Sequence, residues 1–143
     1  MAVADECALP ARMDSLAEAT TFVEAFCSAR DVAQSDRLRL TLVVEELFTN
    51  TVLHGYRGGS DAPVRIGLRA EPLLVELSYE DSAPQFDPLD HVARSPIDPT
   101  LGVADRPVGQ LGLALVVSMA ERASYAREDG CNRLRLVLRR QAG

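Results

Sequence analysis

The stretch Leu42-Val43-Val44-Glu45-Glu46-Leu47-Phe48-Thr49-Asn50-Thr51-Val52-Leu53-His54-Gly55 decides the fold. It is the second half of a helix that Ser35 opens, that runs through Leu38, Leu42, Val43, Leu47 and Leu53, and that Gly55 and then Gly58-Gly59 stop. Helical geometry sets Val44, Leu47 and Thr51 on one side and Leu38, Leu42 and Leu53 on nearly the other. A helix apolar on two sides is expected to pack on two sides. Between them Glu46, Asn50 and His54 recur every fourth residue as one polar stripe. In the plain reading the stripe is a solvated groove edge. In the chemical reading it lines a site, with Glu46 as general base and the Asn50 carbonyl oxygen offered to Mg²⁺, a cation that prefers oxygen ligands. Glu45 points elsewhere and is the weaker candidate.

Working outward, Glu6 to Pro10 reads as a short edge strand stopped by proline. Asp14-Ser15-Leu16-Ala17-Glu18 has the form of a capping box with Ser15 as N-cap, and Leu16, Ala19, Val23 and Phe26 continue as a helix to about Arg30. After the central helix, Pro63 to Ala70 and Leu73 to Tyr79 alternate apolar and polar residues around Glu71-Pro72, which predicts a hairpin. The stretch from Asp81 to Val108 carries five prolines, Pro84, Pro88, Pro96, Pro99 and Pro107, and reads as a long loop of the functional kind. A short apolar helix from Leu111 to about Arg122 and a second hairpin across Asp129-Gly130 complete the order β-α-α-β-β-loop-α-β-β. The expected fold is an α/β two-layer sandwich of the α+β kind, a mainly antiparallel mixed sheet covered on one face by helices.

Composition narrows the function. The chain has 143 residues, room for one domain, with 47% hydrophobic and 25% charged residues as in ordinary globular proteins. Its net charge of −6 argues against a general nucleic-acid surface. All 15 basic residues are arginine. The absence of lysine excludes the P-loop, the protein-kinase fold with its strand lysine, and lysine Schiff-base chemistry. Cys7, Cys27 and Cys131 are odd in number and widely spaced, which favours free thiols over a disulfide framework or zinc site. No apolar run reaches the roughly 20 residues of a membrane span, and the acidic N-terminus lacks a signal-peptide core. The expected location is the cytoplasm.

Two further places invite chemistry. Asp81 follows an apolar strand, where it is either a turn residue or a ligand group. Gly109-Gln110-Leu111-Gly112-Leu113 opens a helix, either as a simple turn or as a place where backbone approaches an anion.

Together, Val43 to Asn50 through His54-Gly55-Tyr56, then Asp81-Ser82-Ala83-Pro84-Gln85-Phe86-Asp87-Pro88, then Gly109 to Leu115, resemble the N, G1 and G2 boxes of the Bergerat-type ATP-binding fold of gyrase, MutL and sensor histidine kinases. Within it the chain looks like the small stand-alone bacterial anti-sigma factor serine kinases, from about Ala8 to Arg139. The N-box match is the specific one. The resemblance implies a single ATP-binding domain over 1–143 with an ATP lid at about 82–108, and ATP and Mg²⁺ as cofactors. It implies Glu46 as the base that polarises the nucleophile, Asn50 on the metal, and Asp81 accepting a hydrogen bond from the adenine amino group. Ala83, Gly109, Gly112 and Leu113 would lie along the nucleotide, and Arg106 is the candidate, by position, for phosphate charge; a surface arginine is the alternative. His54 reads as a supporting residue. The implied partners are an anti-sigma factor antagonist as phosphoacceptor, or a sigma factor, with homodimerisation and without direct nucleic-acid or membrane contact.

Two positions depart from the pattern. Ala83 stands where G1 normally has glycine, which would cost on the order of 1 kcal/mol if that backbone needed positive φ, and Gln110 replaces a G2 glycine. These departures favour a second reading, a non-catalytic module that binds a regulator with vestigial nucleotide binding. A detached histidine-kinase catalytic domain is a third.

Overall fold

The computed structural model describes residues 3–94 and 110–141. Strand β1 (Val3–Pro10) is followed by a 3₁₀ turn (Met13–Ser15), helices α1 (Leu16–Ala29) and α2 (Gln34–Asn50), and a π-type turn (Thr51–Gly55). Then come β2 (Pro63–Ala70), β3 (Leu74–Asp81), α3 (Pro88–Arg94), α4 (Gln110–Met119), β4 (Arg122–Glu128) and β5 (Cys131–Arg139). The strands form one sheet in the order β1-β2-β3-β5-β4. Every pairing among the described residues is antiparallel, so the sheet they form is not the mixed one expected.

Alternation sets the layers. Val64, Ile66 and Leu68 of β2, Val75, Leu77 and Tyr79 of β3, and Leu134, Leu136 and Leu138 of β5 are buried. They pack with Val23 and Phe26 of α1, Val43, Val44, Leu47 and Phe48 of α2, and Leu113 and Val116 of α4 in one core. The β4–β5 hairpin turns at Asp129 and Gly130, both at positive φ (53° and 75°), the backbone that a two-residue turn between twisted strands requires.

Three local expectations differ. Ser15 makes no side-chain capping bond and sits in a helical conformation (φ −88°, ψ −7°), because the 3₁₀ turn already leads into α1. Among the described residues the second apolar side is only partly covered: Leu42 of α2 is half-buried, while Leu38 is 62% and Leu53, in the turn after α2, 45% exposed. The proline-rich segment also contains a helix, α3. Asp87 accepts from the backbone N–H groups of Leu89 (2.9 Å) and Asp90 (3.2 Å), and Pro88 starts the helix where its missing N–H costs nothing.

A clasp at the far end fixes α2 against the rest. Arg39 donates to the buried Asp36 (2.9 Å) and to the carbonyls of Met119 (3.2 Å) and Arg139 (3.0 Å), while Asp36 accepts from the backbone N–H of Gln141 (3.0 Å). The last turn of α4 and the end of β5 are thereby tied to α2, which leaves the first turn of α4 beside the other half of that helix.

Candidate functional site

Antiparallel register places Asp81 opposite Asn132, with Tyr79 opposite Leu134. Asp81 and Tyr79 are in phase with the core-facing residues of β3, and Asn132 with those of β5, so the sheet turns a polar group into the interior at that end. Thr51 approaches from the π-type turn after α2. A widened turn at the end of an otherwise regular helix is a common device at functional sites.

The buried Asp81 carboxylate is engaged on both oxygens. Its Oδ1 accepts from Asn132 Nδ2 (2.8 Å) and the Ala83 backbone N–H (3.2 Å), and its Oδ2 accepts from Thr51 Oγ1 (2.8 Å). Thr51 Oγ1 also lies 2.7 Å from Tyr79 Oη, which is 3.1 Å from the Leu47 carbonyl. A hydroxyl has one proton, and a charged acceptor takes it in preference to a neutral one. Thr51 therefore donates to Asp81, and Tyr79 supplies the remaining donor. Burial raises the Tyr79 phenol well above its ordinary value, so it stays protonated. Tyr56 and Tyr125, nearby, are raised for the same first cause.

These groups form the floor of a cavity of about 240 Å³ whose walls include Leu47, Asn50, Thr51, Ala83, Phe86 and Asn132, with the exposed His54 also on its lining. That volume lies below the range of whole drug-sized ligands and suits a heterocyclic base with the remainder of the ligand outside. The larger depression, about 700 Å³, lies on the opposite, uncovered face of the sheet, away from Asp81.

Ala83 is buried and is not among the residues at positive φ. The expected strain therefore does not arise. Its methyl group is accommodated by Gly55, where a Cβ would stand 3.0 Å from that of Ala83. The tight position is on the partner side of the contact instead, at Gly55.

Glu46 and Asn50 lie one turn apart on α2, both half-buried. The Glu46 carboxylate rests against Gly112 in the first turn of α4: a Cβ there would come within 2.5 Å of Glu46 Cδ. With no side chain on Gly112 the carboxylate lies directly against α4, and a methyl group there would push the end of the Glu46 side chain aside. Leu113 does not line the cavity; its side chain belongs to the core. Arg106 and Gly109 lie outside the described residues. Among the described residues no group of three or more His, Cys, Asp or Glu side chains could enclose a metal. The Asn50 and Glu46 oxygens fit a hard cation held mainly by a ligand's phosphates and by water, as Mg²⁺ commonly is.

Sequence reasoning missed Asn132. The two protons on its Nδ2 are shared among three acceptors, Asp81 Oδ1 (2.8 Å), Pro84 O (3.1 Å) and Ala83 O (3.2 Å), and its Oδ1 accepts from the Phe86 N–H (3.1 Å) and Tyr125 Oη (2.5 Å). The signal was present: Asn132 is a lone amide in phase with Leu134, Leu136 and Leu138. Arg127, which donates to Ala83 O (2.8 Å), was missed as well.

Comparison with known proteins bears on the same regions. The anti-sigma F factors of Bacillus thuringiensis (strain Al Hakam) and Bacillus mycoides (strain KBAB4) are each 32% identical over 75 residues, 52% of this chain and 51% of theirs. The chain thus spans about half the length of the curated relatives it matches. In fold it is similar to the RsbU and RsbW domains of a Mycobacterium tuberculosis protein, with a TM-score of 0.63, 17% identity, and coverage of 98% of this chain and 34% of that one. It is also similar to the SiaB–SiaC complex structure from Pseudomonas aeruginosa, with a TM-score of 0.63, 14% identity, and coverage of 94% and 88%. No helix among the described residues is long and apolar enough to cross a membrane. Residues 9–138, from the end of β1 to the end of β5, match the family described as the histidine kinase-like ATPase domain, and with the sheet, the α2 stripe and the Asp81 cavity lying inside that span, the chain belongs to this family.

Proposed function

We propose that the protein is a Mg²⁺-dependent ATP-binding kinase of the anti-sigma-factor type, which transfers the γ-phosphoryl group of ATP to a serine of a small regulatory protein, an anti-sigma factor antagonist. The observation that carries this reading is the cavity of base size floored by the buried Asp81 and walled by Asn50 of α2, the helix that also bears Glu46. An ionised carboxylate only accepts hydrogen bonds, so Asp81 matches the adenine amino group. Asn50 would hold Mg²⁺, which neutralises phosphate charge when bound. Glu46 takes the serine hydroxyl proton as the serine oxygen bonds to the γ-phosphorus and the bond from that phosphorus to the β–γ bridging oxygen breaks, releasing ADP. Gly112 keeps the first turn of α4 against that carboxylate. Arg106 and Gly109 are proposed for phosphate charge and backbone contact. Residues 1–143 are read as one ATP-binding unit, with a lid that includes α3, in the cytoplasm and as a homodimer.

The family match and the partial identity to anti-sigma F factors support the reading. Calorimetric titration with ATP and Mg²⁺, followed by incubation with radiolabelled ATP and a candidate antagonist, tests it. Saturable binding and a phosphoserine product are expected, with Glu46→Gln lowering the rate by about 10²- to 10⁴-fold while leaving ATP binding in place. No binding at millimolar nucleotide overturns the kinase reading in favour of a module that sequesters a sigma factor or another regulator.

A further inference from the structure

We infer that Asn132 is a specificity-determining residue: by filling the Oδ1 side of Asp81 it leaves the carboxylate a single open acceptor position, which fits the one amino donor of adenine and refuses the paired N–H donors of guanine. The inference rests on the proposal that the cavity takes the base of a nucleotide.

A carboxylate offers about four lone-pair positions, two on each oxygen. On Asp81 Oδ1 both are filled, by Asn132 Nδ2 and by the Ala83 N–H. On Oδ2 one is filled, by Thr51. One position remains. Adenine presents a single amino group at its edge and needs only one acceptor. Guanine presents a carbonyl, which a carboxylate repels, beside adjacent ring N–H and amino donors. That donor pair would grip both oxygens of an unencumbered carboxylate as a fork, so a bare aspartate does not by itself exclude guanine. Exclusion requires one oxygen to be closed.

The orientation of the Asn132 amide is settled by its neighbours. The Phe86 N–H and the Tyr125 hydroxyl both point at Oδ1 of Asn132, and Tyr125, raised by burial, keeps its proton. The amide nitrogen must therefore face Asp81 and the carbonyls of Ala83 and Pro84. Asn132 cannot turn aside for guanine without breaking bonds on both of its ends at once.

Titration of the full chain with ADP and separately with GDP, at constant Mg²⁺, reads the ratio of the two affinities. Asn132→Leu keeps the branched shape of the side chain and removes the donor together with the acceptor, and the preference for ADP is expected to fall at least about tenfold, chiefly through tighter GDP binding. Thr51→Val frees a position on Oδ2 but leaves Oδ1 closed, so ADP should weaken while the ratio stays within about threefold of wild type. A residue that merely stabilised the site would weaken both nucleotides together. An unchanged ratio in folded Asn132→Leu overturns the assignment and leaves the nucleotide site standing, as does a wild type that binds ADP and GDP equally. A wild type that binds neither overturns the nucleotide reading and this inference with it. If Asn132→Leu does not fold, Asn132→Ser, too short to reach Oδ1, is read by the same ratio.

Discussion

On the helix-covered face of the sheet, the three central strands bring their buried polar side chains together in one island, Asp81, Asn132 and Tyr79, joined by Thr51 and set among Val75, Leu77, Leu134 and Leu136. On the other face the central strand carries Glu76 and Glu80, each set between arginines from both flanking strands. Arg69 (2.6 Å) and Arg135 (3.0 Å) flank Glu76, and Arg65 (3.6 Å) and Arg133 (2.6 Å) flank Glu80. One chain therefore holds two carboxylate-centred networks on opposite sides of the same β3. They differ in solvent. In the interior an unmade hydrogen bond exposes the full cost of desolvation, so the island satisfies its carboxylate with directed neutral donors and fixes its geometry. On the open face water and salt screen the ion pairs, which add charge complementarity but little stability. Directed, dry and fixed is the condition for recognising a ligand.

The comparison breaks most visibly at Asp81. Asp81→Asn sets an amide N–H against either Asn132 Nδ2 or Thr51, and calorimetry should show ATP affinity falling by about a hundredfold or more. Unchanged affinity would mean that the island is a folding feature only. Leu77 and Ser78 are neighbours on opposite faces and sharpen the contrast. Leu77→Ala is expected to cost about 2–5 kcal/mol in denaturant unfolding, and Ser78→Ala within about 0.5 kcal/mol. Burial itself can be varied by pH at Cys27 of α1, whose thiol is pushed up to about 11, above its ordinary value near 9, by desolvation. The folded state then holds the proton more tightly than the unfolded one. This contribution is complete below about pH 9 and is lost as pH rises through about 11. Melting temperatures between pH 8 and 11 should fall less steeply in Cys27→Ala than in wild type. The smallest effect belongs to the open face: Glu76→Gln should change stability by about 1 kcal/mol or less, and the difference should fade in molar salt.

Periodicity made most of the fold legible. The hairpins around Glu71-Pro72 and Asp129-Gly130 and the two long helices stand close to where alternation and helical spacing put them, because those periods follow from backbone geometry, whereas the apolar α4 ends at Met119 and Arg122 already opens β4. The differences have separate causes. Apolar character alone predicts a packing partner for Leu38 and Leu53, but burial depends on what lies opposite, and among the described residues nothing covers them fully. The capping pattern at Ser15 was pre-empted by the turn before it. Five prolines make the segment after Asp81 read as a loop, yet Asp87 before Pro88 is itself a cap-and-first-turn pair and opens α3.

For the candidate site, the sequence by itself determined which groups are available: Glu46 and Asn50 one turn apart, Asp81 at a strand end, Gly112 early in a helix. Their order along the chain was enough to suggest the family. Only the tertiary structure decided that Asp81 meets Asn132 across 51 residues of sequence, that Ala83 keeps an ordinary backbone opposite Gly55, and that the Glu46 carboxylate lies against Gly112. The reason is physical. Periodicity reports which side of an element a residue occupies, whereas a hydrogen bond or a steric gap belongs to two elements and exists only once the sheet register and the helix packing have brought them together.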